Sequence, residues 1–158
     1  MRNINFNKII IVSLCDRLTK SVGKKLSQSL DMMYCDAKDL VEYELIDKNT
    51  LKKFSSKEYF DNAERGVFKH ISSFENVVVT INFDYLSHNV DLLKEESLIV
   101  FLKLSKTYIK EHANVLNSIS YDNRTAELEN LSNLTVTLKK TETDFVVNKI
   151  IEEIGRIV

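Results

Sequence analysis

The residues best placed for chemistry lie in one stretch, Ser13-Leu14-Cys15-Asp16-Arg17-Leu18-Thr19-Lys20-Ser21-Val22-Gly23-Lys24-Lys25-Leu26. It follows an apolar run and sets Lys20 beside Ser21. A lysine next to a hydroxyl suits a phosphate-binding turn, where the ammonium reaches the terminal phosphates and the hydroxyl ligates Mg²⁺. That chemistry also needs glycines, so that successive backbone N–H groups converge on the phosphates with no Cβ in the way. None precedes Gly23 here, and the whole chain has three. Asp16 adds a negative charge where a triphosphate would lie, and Leu18 adds a branched side chain. The plain expectation is a short loop and a helix start, whose N-terminus still attracts a small anion.

Other candidates are sparser. Asp36 ends an apolar run, where a carboxylate either approaches a metal or caps the next helix. His70, His88 and His112 are scattered without metal-ligand spacing and read as surface or structural histidines. Cys15 and Cys35 do not make a disulfide framework; buried structural thiols are expected, with a redox pair as the remote alternative. No serine–histidine–acid order stands out.

The elements that must position these residues follow from periodicity. Five apolar runs rich in β-branched residues span 8–14, 32–36, 76–81, 98–104 and 134–139. The first, third and fourth are nearly continuous in Ile, Val, Leu and Phe, as strands buried on both faces of a parallel sheet are. Amphipathic stretches at 19–30, 38–46, 56–74, 105–116 and 142–157 predict the intervening helices, with Ser56 and Ser105 as caps. Alternation of this kind implies right-handed crossovers and helices on both faces of the sheet. A length of 158 residues, 44% hydrophobic and 28% charged, suits one folded domain over 1–158.

The stretch after the first run resembles the GFMGSGKSTVGKKLA segment of shikimate kinases, with Val22-Gly23-Lys24-Lys25-Leu26 matching without a gap. Tyr34-Cys35-Asp36-Ala37-Lys38-Asp39-Leu40-Val41-Glu42 looks like that family's F-x-D-T-D-E-L-I-E. Phe60-Asp61-Asn62-Ala63-Glu64 looks like its F-R-x-L-E, and Val77-Val78-Val79-Thr80-Ile81-Asn82-Phe83 stands where it has V-I-S-T-G-G-G. Arg124, followed by Ser132-Asn133-Leu134-Thr135-Val136, resembles the R-x-P-L-Y and A-D-L-T-V segments. The resemblance implies a three-layer α/β/α, P-loop kinase-like fold with a five-stranded parallel sheet in the order 2-3-1-4-5.

It also implies where function would reside, and there this sequence departs from the family. In the ungapped register the three loop glycines become Ser13, Asp16 and Leu18. The lysine position is Thr19 and the Mg²⁺-binding hydroxyl position is Lys20, so the pair Lys20-Ser21 is displaced by one residue. A shift of one helical residue turns a side chain by about 100°. The family's acceptor-binding aspartate and arginine become Lys38 and Asp61, either paired across the pocket or separately solvated. The glycine triplet becomes Ile81-Asn82-Phe83, and Arg124 alone is kept. Asp36 matches the Mg²⁺-associated aspartate, and Glu64 a family glutamate. The segment 114–123, where the lid would lie, lacks the arginine–proline signature.

A net charge of −1 disfavours a nucleic-acid partner, and no apolar run approaches the roughly 20 residues of a membrane span. Residues 9–15 faintly imitate a signal peptide, yet Asp16-Arg17 stands where a cleavage site would need small residues. The chain is therefore expected in the cytoplasm. The function expected is that of a shikimate kinase-like protein without catalysis, whose role is binding, regulatory or structural. A protein partner or a small anion would be its ligand, with no cofactor. The alternative is a kinase transferring the ATP γ-phosphate to shikimate or a related alcohol, with ATP and Mg²⁺. A third reading keeps a pocket for an anionic metabolite without chemistry.

Overall fold

A computed structural model describes residues 6–45, 57–113 and 118–157. Five strands form one parallel sheet: β1 (Lys8–Ser13), β2 (Met33–Asp36), β3 (Val77–Ile81), β4 (Ser97–Lys103) and β5 (Leu134–Thr137), in the order β2-β3-β1-β4-β5. The helices are α1 (Asp16–Ser29), α2 (Ala37–Glu44), α3 (Lys57–Ser72), α4 (Phe83–Leu93), α5 (Lys106–His112), α6 (Ser118–Leu131) and α7 (Thr143–Ile157). The expected strand order and three-layer arrangement are therefore present.

Strand alternation divides the core. Ile9 and Ile11 face one cluster, built with Leu18, Val22 and Leu26 of α1 and with Val146, Ile150 and Ile154 of α7. Ile10 and Val12 face the other, with Val41 of α2, Phe68 and Ile71 of α3, Leu86 and Leu93 of α4, and Leu128 of α6. Every residue of β1 is buried, which accounts for the unbroken apolar run from Ile9 to Val12 within it. Asp31, Asn76 and Glu96 adopt left-handed backbone just before β2, β3 and β4. In a chain with three glycines, side-chain-bearing residues take these turns.

Three features depart from the sequence expectation. Helix α1 starts at Asp16 rather than at Thr19. Helix α4 was not expected; Asn82 caps it, its side chain accepting from the Tyr85 N–H. Helix α6 occupies 118–131, including part of the segment assigned to a lid. The expected cap Ser56, the end of α2 at Ile46 and residues 114–117 of the lid lie outside the described residues.

Candidate functional site

The C-terminal ends of β1, β3 and β4 open onto a cleft, where ligands of open α/β sheets bind. Only Leu14 and Cys15 separate β1 from α1. This turn is closed by its own side chains. The Cys15 N–H donates to Ser13 Oγ at 3.0 Å, and the Ser13 and Thr19 hydroxyls meet at 2.6 Å. The Cys15 carbonyl is within reach of both hydroxyls, at 2.9 Å from Ser13 and 3.1 Å from Thr19. Ser13 and Thr19 are almost fully buried. A backbone donor that a phosphate would use is thus spent inside the turn. Leu18 packs into the core with Val22 and Leu26, because a helix beginning at Asp16 turns that position toward the sheet.

Lys20 does not enter the turn. Its ammonium lies 3.1 Å from Asp39 Oδ2 and 3.8 Å from Asp36 Oδ2. The hydrogen bond to Asp39 is the main cause raising the Lys20 pKa. Ser21, one residue on, is exposed. Asp36 is committed to structure: Oδ2 accepts from the Asp39 N–H, capping α2, and Oδ1 accepts from the Thr80 hydroxyl at 2.6 Å. Thr80 in turn accepts from Tyr34 at 2.8 Å. Among the described residues no three His, Cys, Asp or Glu side chains gather as metal ligands.

Lys38 and Asp61 are not brought together. Lys38, at the start of α2, lines a depression of about 300 Å³ with Asp16, Lys20 and Asp36. Asp61, in the first half of α3, lines a different one of about 440 Å³ with Arg65 and His88. The pairing of Lys38 with Asp61 across one pocket is therefore corrected: the two helices carry them to separate depressions.

A cleft of about 520 Å³ holds Asp16, Arg17, Phe83, Asp84, His112 and Arg124 on its walls. The Arg124 guanidinium stacks over the Phe83 ring at 4.9 Å. Asp16 and Asp84 stand in the first turns of α1 and α4. Partial desolvation is the main cause raising the Asp16 pKa, although the residue keeps an exposed surface; Lys38 opposes it, and Asp36 and Asp84 reinforce it. Sequence reasoning placed Phe83 only at the end of the altered glycine triplet, and it missed Asp84, because helix α4 was missed. The Asn82 cap followed by apolar residues at 83, 86, 90 and 93 was the available signal.

Both cysteines are free thiols. Burial, reinforced by Asp36, pushes the Cys35 thiol up to about 11. At pH 8 its thiolate fraction should be about a hundredfold below that of an ordinary thiol. Iodoacetamide labelling of the folded chain, followed by intact mass, should be slower than in urea by about that factor. Equal rates in both states would show that Cys35 is not desolvated.

No protein family's sequence profile matches this chain, and no curated protein matches it in sequence. Solved structures do. The shikimate kinase of Aquifex aeolicus is 21% identical with a TM-score of 0.75, over 94% of this chain and 96% of that one. A shikimate kinase from Acinetobacter baumannii, solved in complex with shikimate, is 15% identical at 0.68, over 96% and 94%. A gluconokinase from Sinorhizobium meliloti is 17% identical at 0.63, over 99% and 95%. Among the described residues no helix is long and apolar enough to cross a membrane. The chain has the P-loop kinase fold that shikimate kinases and gluconokinase share.

Proposed function

We propose that this chain is a non-catalytic protein on a small-molecule kinase fold, whose cleft binds a ligand without transferring phosphate. The observation that carries this reading is the closed turn after β1. Helix α1 begins at Asp16 and the Ser13–Thr19 hydroxyl pair fills the interior of the turn. Phosphoryl transfer depends on positioning and on neutralising the developing charge. The residues present do not fit Mg²⁺–ATP. The position for the loop lysine is a buried threonine and the position for the metal hydroxyl is Lys20, held by Asp39. Two further carboxylates, Asp16 and Asp84, stand at the helix N-termini that would otherwise draw in anions.

Calorimetry with ATP–Mg²⁺, with and without shikimate, tests the proposal. No heat of binding at millimolar nucleotide and no ADP formation are expected. Shikimate phosphorylation at roughly 1 s⁻¹ or more, within the usual enzyme range, would establish the kinase alternative instead.

A further inference from the structure

We propose that the cleft takes a small zwitterion of the amino-acid class, its carboxylate on the Arg124 fork and its ammonium between Asp16 and Asp84. This rests on the reading that the cleft binds without phosphoryl transfer, and it names the ligand's chemistry. A cleft of about 520 Å³ is within the size range of small-molecule sites. Its charged walls are balanced, with Arg17 and Arg124 set against Asp16 and Asp84. A polyphosphate would meet two carboxylates and a simple polyamine two guanidinium groups. A ligand with both signs and no net charge satisfies each wall.

Each half has its own support. No carboxylate among the described residues pairs with Arg124. Its guanidinium carbon lies over the Phe83 ring, 4.9 Å from the centroid, and a guanidinium held on a ring face suits a planar, two-oxygen acceptor. Asp16 likewise has no ion-pair or hydrogen-bond partner among the described residues, and it feels Asp84 as an unfavourable charge. An entering ammonium would relieve that repulsion. Lys38 moderates it from the neighbouring depression and does not line this cleft. The two carboxylates also offset the fields of the α1 and α4 N-termini, so those helix ends hold cations better than such ends usually do.

The test is thermal denaturation and calorimetry of the full chain with individual L-amino acids. Each is compared with its carboxylate-only and amine-only analogues, with inorganic phosphate and with ATP–Mg²⁺. At least one amino acid should raise Tm saturably, while its single-charge analogues and phosphate do not. Arg124→Gln and Asp84→Asn should each weaken that binding about tenfold or more, the loss of one charge-assisted contact. Arg124→Lys, which keeps the charge and loses the fork, guards against a variant that merely misfolds, and the unliganded Tm of each variant is the folding control. Equal stabilisation by carboxylates alone or by phosphate would overturn the proposal in favour of an anion site. No response to any amino acid, or full binding by Arg124→Gln and Asp84→Asn, would overturn it outright. Phosphoryl transfer from ATP–Mg²⁺ would sink the non-catalytic reading whatever the amino acids do. Failure of amino acids and ATP–Mg²⁺ together would sink only the zwitterion.

Discussion

Gly23→Ala is expected to lower stability by about 2 kcal/mol, within the usual cost of overpacking. Elsewhere in a helix the same change gains about 1 kcal/mol. Here a Cβ would stand 2.1 Å from Thr80 Cγ2 and 3.1 Å from the Tyr34 ring. Thr80 cannot step aside. It is fully buried, and its hydroxyl is held by Tyr34 on one side and Asp36 on the other. Thr80→Ser removes only the obstructing methyl and keeps the hydroxyl. The double variant Gly23→Ala, Thr80→Ser should therefore recover most of the loss, with the new Cβ filling the space vacated. Urea denaturation of the four members of this cycle reads out the coupling. A Gly23→Ala protein as stable as the parent would show that α1 does not pack this closely on β3.

Rewriting the turn as a phosphate loop should cost more. Asp16→Gly, Leu18→Gly, Thr19→Lys and Lys20→Ser together place glycines, a lysine and a hydroxyl where nucleotide chemistry would want them. Leu18 is a core residue and Thr19 is buried against Ser13. Removing a buried leucine side chain costs about 2–5 kcal/mol, and a glycine inside a helix about 1 kcal/mol more. A lysine at position 19 must also desolvate its charge or leave the turn. The sum approaches the whole margin of about 5–15 kcal/mol typical of a folded domain. The fourfold variant should lose its cooperative thermal transition by circular dichroism and phosphorylate no shikimate. Lys20→Ser alone, which removes a partly exposed ion pair, should cost no more than about 1 kcal/mol. A fourfold variant that melts like the parent would mean that Leu18 and Thr19 are not seated as described.

These two cases show how far local pattern reaches. Strands β1, β3 and β4 were legible because a parallel strand buried on both faces must be apolar throughout, and residues 9–12 and 98–102 are. Helix α6 was not, since among its described side chains only Thr125 and Leu128 are buried, and it has almost no apolar stripe to detect. Asp36 had two readings from sequence, metal-associated or capping. The choice depended on where Asp39 and Thr80 lie, and Thr80 is 44 residues away.

The sequence by itself determined the class of fold, the strand order through its family resemblance, and the shortage of glycine around the turn after β1. Each depends on residue type and spacing along the chain, which are local quantities. Only the tertiary structure decided that α1 begins three residues early, that Ser13 and Thr19 close the turn, and that Lys20 leaves it for Asp39. It also decided that Lys38 and Asp61 part and that Phe83 supports Arg124. Each of these depends on how residues of different elements are placed against one another. Their energies depend on distance and burial in three dimensions, and neither composition nor period along the chain contains that information.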